Sequence, residues 1–286
     1  MDPSMLTNMI IRPPKADYPE PNMGKAIETD YNGKKFKVDN FQVANFKGEL
    51  LSCSFVEPAN DADRSGETMP CVIYMHGNAG NKTEGLSYAA EITGRGLNLC
   101  CFDFSGCGNS EGDWVTLGHK EKDDLKSVIE YIYENKRVST IGLWGRSMGG
   151  VTSLLYASEN PGTINCAVLD SAFSTLDYVI ITMAGNMGLP PDLVEMFKPM
   201  IDQSIQMQAG FQIKDLDAVK AAALCESPVL FLHGKEDTFI IPDHCDKLFA
   251  SYKGEKKEKR MIVGDHNSPR PDEDILYLCE FLKQHL

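Results

Sequence analysis

The stretch Leu143 to Tyr156, LWGRSMGGVTSLLY, decides how the rest of the chain is read. An apolar run gives way to glycines on both sides of Ser147, and helix-forming residues resume at once. Strands need bulky side chains and helices avoid glycine, so Gly145 and Gly149 predict a turn too tight for side chains nearby. The pattern Gly-x-Ser-x-Gly between a strand and a helix is that of a nucleophile elbow. In such a turn a strained serine presents its hydroxyl at the carboxyl edge of a sheet.

Outward from this turn, apolar strands alternate with amphipathic helices. CVIYM (Cys71 to Met75), LNLCCFDF (Leu97 to Phe104), TIGLW (Thr140 to Trp144), CAVLD (Cys166 to Asp170), PVLFL (Pro228 to Leu232) and RMIVG (Arg260 to Gly264) read as strands. Helices are expected near 83–93 and 120–135, and from Met148, Pro242 and Asp272. Fully apolar strands joined by helices predict a parallel sheet buried on both faces, with its site at the carboxyl ends of the strands. Two further strand-like segments, 35–44 and 49–56, precede the series. Residues 1–30, rich in proline and polar residues, are expected to form an N-terminal arm to a single α/β domain, 31–286. An insertion at about 174–213 is expected to form a helical cap. It carries Met183, Met187, Met196, Met200 and Met207.

The formal net charge of −13 and the lack of a Lys/Arg stripe argue against a nucleic-acid partner, because neutralising phosphates takes clustered cations. Nine cysteines without a C-x-x-C pair, several of them inside apolar runs, read as reduced core residues of a cytoplasmic protein. No signal peptide is recognisable, and no run approaches the roughly 18 apolar residues of a membrane span. Metal-ligand spacing is absent, and Gly106 and Gly108 lack dinucleotide-loop spacing, so neither metal nor cofactor is expected.

Chemically useful residues fall where strands end: His76-Gly77-Asn78, Ser147, Asp170, Asp237 and His266. A serine hydroxyl is a weak nucleophile until a base takes its proton, and His266 suits that role because imidazole titrates near neutral pH. Asp237 would fix the tautomer of His266, with Asp170 as the rival acid. Asp265 adjoins His266 and is read as a loop or capping residue. His76 and His233 read as turn residues, and His119, His244 and His285 as surface ones.

The motifs HGNAG, DFSGCGNS, GRSMGG, LDSAF, HGKEDTFI and DHNSPRP occur in the order found in α/β hydrolases, and the chain resembles their serine-aminopeptidase-like and monoglyceride-lipase-like branch over roughly 35–286. IRPPKADY, VTLGHKEKDDL, LWGRSMGGVTSL and GDHNSPRP are more closely similar to a group of plant and protist serine hydrolases. The resemblance implies an α/β-hydrolase fold with a mostly parallel eight-stranded sheet and helices on both faces. It also implies an oxyanion hole made by the backbone N–H groups of Asn78 and Met148. The expected activity is that of a serine esterase acting on a small-molecule acyl ester, with Met187 and Met196 as candidate pocket residues. A thioesterase, a lysophospholipase, a peptidase and a non-catalytic receptor are the alternatives.

Overall fold

The computed structural model describes residues 7, 8, 10–16, 18, 19, 27–31 and 34–286. Its strands are β1 (Ile27–Tyr31), β2 (Lys34–Ala44), β3 (Leu50–Pro58), β4 (Met69–Met75), β5 (Asn98–Phe102), β6 (Val138–Arg146), β7 (Cys166–Asp170), β8 (Val229–Gly234) and β9 (Lys257–Ile262). The α-helices among the described residues, apart from the helical residues 7, 8, 10 and 11, begin with α1 (Thr83–Leu86), α2 (Ala89–Thr93), α3 (Glu121–Asn135) and α4 (Met148–Glu159). They continue with α5 (Leu176–Asn186), α6 (Pro191–Ala209), α7 (Ala218–Ala222), α8 (Pro242–Ser251) and α9 (Asp272–His285).

The sheet runs β1-β2-β3-β5-β4-β6-β7-β8-β9. Pairings from β5 to β9 are all parallel, while β3 is antiparallel to both neighbours. The expected eight-stranded, mostly parallel sheet is therefore present as β2 to β9, and a ninth strand, β1, pairs antiparallel with β2 at its edge. The expected arm, 1–30, lies partly outside the described residues.

Alternation along each central strand feeds two cores. Cys71, Ile73 and Met75 of β4 face one side and Val72 and Tyr74 the other, and β7 divides Ala167 and Leu169 from Cys166 and Val168 in the same way. The first face is covered by α3, α4, α7 and α8, through residues such as Leu125, Ile129, Val151, Leu154 and Leu248. The second is covered by α2 and α9, whose Ile275, Leu278, Cys279 and Leu282 follow helical spacing. All nine cysteines are buried and unbridged, and burial pushes their thiols up, Cys100 to about 12. Trp144 packs between Tyr74 and Tyr88, with ring centroids 5.0 and 4.6 Å away.

Two features position the site. Strand order reverses at β4, which lies between β5 and β6, and ligands of open α/β sheets bind outside the carboxyl ends at such a reversal. Between β7 and β8 the chain also detours through α5 and α6. The side chain of Thr175 caps α5 by accepting from the Tyr178 amide, and α6 stops at Gly210, which is left-handed at φ 74°. Helix α6 buries Val194, Ile201, Ile205 and Ala209, which repeat on one side. The N-terminal segment lies along the domain. The Val115 amide donates to the Ile11 carbonyl, Lys15 Nζ donates to the Ser110 carbonyl at 2.8 Å, and the Arg12 guanidinium sits 4.3 Å from the centre of the Trp114 ring.

Candidate active site

Ser147 stands between β6 and α4 with φ 51° and ψ −111°, a conformation that non-glycine residues adopt only where the surroundings enforce it. The flanking glycines are what allow it. A Cβ at Gly145 would collide with the Gly149 main chain, and one at Gly149 would collide with the Met75 carbonyl of β4. The Ser147 amide donates to the Asp170 carbonyl at 2.7 Å, which fixes the turn against the end of β7.

His266 follows β9, and its ring lies between Ser147 and Asp237. Nε2 is 3.2 Å from Ser147 Oγ, and Nδ1 is 2.7 Å from Asp237 Oδ2. Asp237 is nearly fully buried, and its Oδ1 accepts from the amides of Phe239 and Ile240 at 3.0 and 2.8 Å. A carboxylate so placed can only accept, which assigns the proton to Nδ1 and leaves Nε2 to accept from the serine hydroxyl. His233 steadies the turn that carries Asp237. Its Nε2–H donates to the Ile240 carbonyl at 2.7 Å, and burial pushes its pKa down, keeping the ring neutral.

Asp170, the rival acid, makes no hydrogen bond to His266. It lies buried in a fork from Arg270, with Nε 2.9 Å from Oδ2 and Nη2 2.8 Å from Oδ1. Burial would raise its pKa, but Arg270, helped by Arg146, outweighs that and holds it below the usual carboxylate value. Asp265 organises its own loop, accepting from the Asn267 and Ser268 amides and from Ser268 Oγ. His76 sits buried in a turn, with Nδ1 donating to the Gly77 carbonyl and Nε2 accepting from the Phe104 amide. His244, expected at the surface, is instead fully buried on the inner side of α8, next to Cys245. Ser174 and the Tyr178 ring pack against it, and burial lowers its pKa to about 4.

A cleft of about 430 Å³ opens at Ser147 and is lined by the 77–80 loop, Glu84, Arg146, Phe239, His266 and Asn267. Gly77 and Asn78, the first residues of that loop, both line the cleft beside Ser147. Met148 is the first residue of α4, so its amide is one of those that a helix leaves without an internal partner. Neither Met187 nor Met196 lines the cleft. Met196 falls off the buried stripe of α6 and is 59% exposed. Met187 ends α5 half-exposed, beside a small apolar crevice shared with Ile10, Met183 and Phe197. Arg146, Glu84, Arg270 and Phe239 join the site without a motif of their own to mark them. Arg146 and Arg270 sit inside the quoted motifs, but their partners are remote in sequence. Among the described residues no group of three or more His, Cys, Asp and Glu side chains is arranged to hold a metal ion.

Residues 70–192 match the family described as the alpha/beta hydrolase fold. Over 206 residues the chain is 29% identical to the uncharacterized protein YqkD of Bacillus subtilis, a match covering 70% of this chain and 66% of that one. The chain spans about two thirds of the length of that relative. The esterase Pf2001 of Pyrococcus furiosus superposes with a TM-score of 0.69 at 20% identity, covering 87% of this chain and 92% of that one. The acetyl xylan esterase of Paenibacillus sp. R4 superposes with a TM-score of 0.70 at 16% identity, covering 99% and 92%. No helix among the described residues is long and apolar enough to cross a membrane. Sheet order, the serine turn and the family match together give this chain the alpha/beta hydrolase fold.

Proposed function

We propose that the chain is a serine carboxylester hydrolase of the serine-aminopeptidase-like and monoglyceride-lipase-like branch, working through an acyl-enzyme on Ser147. The observation that carries this reading is the position of His266, 3.2 Å from the hydroxyl of a strained serine and 2.7 Å from a buried carboxylate. The esterases among its structural neighbours are consistent with the same reaction class.

Ser147 Oγ attacks the ester carbonyl carbon as its proton passes to His266 Nε2, and Asp237 stabilises the imidazolium so formed. Charge building on the carbonyl oxygen is met by the amides of Asn78 and Met148. When the C–O bond breaks, the departing alcohol takes the proton from Nε2 and leaves the acyl group on Ser147. Water then repeats the sequence, giving its proton to His266 as it attacks, and the carboxylic acid leaves as Oγ recovers the proton.

The test is covalent. A fluorophosphonate probe should label the folded protein, and Ser147→Ala should abolish labelling, because only an activated serine attacks such phosphorus centres at useful rates. Labelling that survives Ser147→Ala would place the nucleophile elsewhere. A wild type that resists the probe would favour a ligand-binding role without turnover.

A further inference from the structure

We propose that Arg146 and Arg270 are positioning residues that clamp the backbone carbonyl of His266 and so hold the general base over Ser147 by its main chain as well as by its ring. The inference rests on the serine-hydrolase reading. His266 belongs to the loop between β9 and α9, in which Val263 is exposed and Gly264 takes φ 113°. Asp237 and Ser147 hold the two ring nitrogens and Phe239 packs against the ring, but all three contacts act on the side chain, and the ring is still displaced when its backbone shifts. Misplacement of a reacting group by about 1 Å is enough to lose most of a rate.

Two guanidinium groups reach that backbone. Arg146, adjacent to Ser147 in the elbow, donates from Nη2 to the His266 carbonyl at 2.9 Å, while its Nη1 is ion-paired with Glu84 of α1. Arg270 lies four residues beyond His266 with its side chain almost fully buried. Its Nη1 donates to the carbonyls of Asp265 and Ser268, both at 3.1 Å, and its Nη2 makes a longer contact to the His266 carbonyl at 3.5 Å. The same guanidinium grips Asp170 through two atoms and donates to Ser171 Oγ at 3.0 Å.

Asp170 closes the ring of contacts. Its main-chain carbonyl takes the Ser147 amide, and its carboxylate takes the arginine that wraps the loop of the base. Nucleophile and base are thus referenced to one residue at the end of β7. A buried ion pair adds little net stability compared with apolar packing. What it supplies here is direction, because a planar fork with five N–H groups can meet a carboxylate and several carbonyls at once, which an ammonium cannot.

The experiment uses the full chain with p-nitrophenyl acetate as substrate and a fluorophosphonate as probe. Arg146→Gln should lower kcat and the labelling rate together by about 100-fold with KM within a few-fold, the signature of a misplaced catalytic group. Arg146→Lys keeps the charge beside Glu84 and one donor, and should recover part of that loss. If Arg146→Gln does not fold, as judged by circular dichroism, Arg146→Lys is read alone, and a loss of about 10-fold in kcat is expected. A folded variant with wild-type kcat overturns the clamp, as does a defect confined to KM, which would make Arg146 a substrate contact. If the wild type itself is not labelled, the hydrolase reading falls and the clamp with it. A labelled wild type whose variants behave like it removes the clamp alone.

Discussion

Asp237→Asn separates the chemistry of the acid from its role in the fold. Asp237 Oδ1 holds the amides of Phe239 and Ile240, and an asparagine oxygen can keep both. The new NH2 group must then occupy the place of Oδ2, 2.7 Å from His266 Nδ1, where it can only donate. The ring responds by moving its proton to Nε2, which meets Ser147 Oγ as a donor and can no longer take the serine proton. The expected loss in kcat is about 10,000-fold, the size known for the asparagine swap in a serine-protease triad, or about 5.4 kcal/mol of barrier. Asp170→Asn is the control. It leaves the Arg270 cation facing a neutral partner, so it should cost up to a few kcal/mol of stability. It should cost at most about 100-fold in kcat, through a displaced loop. Steady-state hydrolysis of p-nitrophenyl acetate and urea unfolding of each variant measure both quantities. A larger loss of kcat in Asp170→Asn than in Asp237→Asn would refute the assignment of the acid.

Burial pushes Asp124 up to about 7, so between about pH 4 and 7 the folded state keeps a proton that the unfolded chain has released. Stability should therefore fall as pH rises through that window, and Asp124→Asn should flatten the slope; parallel curves of Tm against pH for the two proteins would count against this. Gly149→Ala should abolish fluorophosphonate labelling even in folded protein, because the new methyl group drives the elbow away from the Met75 carbonyl; normal labelling would show that the turn can yield. Met187→Ala with Met196→Ala should leave hydrolysis of acetyl and butyryl esters within a few-fold of wild type, because neither side chain lines the cleft. A changed profile along a series of longer p-nitrophenyl esters would place the acyl chain under α5 and α6.

The parts of the fold legible in sequence were those set by local rules. The central strands are unbroken apolar runs because both of their faces are buried, and the elbow stands out because backbone collisions leave Gly145 and Gly149 no alternative. Ser147, Asp237 and His266 could be read as meeting because each follows a strand of one parallel sheet. Features set by distant partners could not be read. Asp170 reads as a rival acid at a strand end because the arginine that holds it, Arg270, lies a hundred residues away, and Arg146 in isolation gives no hint that it reaches the His266 carbonyl. His244 reads as a surface residue, but a polar residue early in α8 says little about which side of the helix it takes, and that side faces the core. β1 leaves little trace in the sequence because a short antiparallel edge strand needs neither a long apolar run nor a second buried face.

The chain contains two tryptophans, and their settings turn them into separate optical reporters. Trp144 lies in the core between Tyr74 and Tyr88, three residues before the serine, so its emission should follow the cooperative loss of the sheet. Trp114 is only partly buried and carries the Arg12 guanidinium on its ring, so its emission should register release of the N-terminal segment. In a Trp144→Phe background, a fluorescence change at lower denaturant than the loss of circular dichroism would reveal that segment leaving the domain before the sheet unfolds.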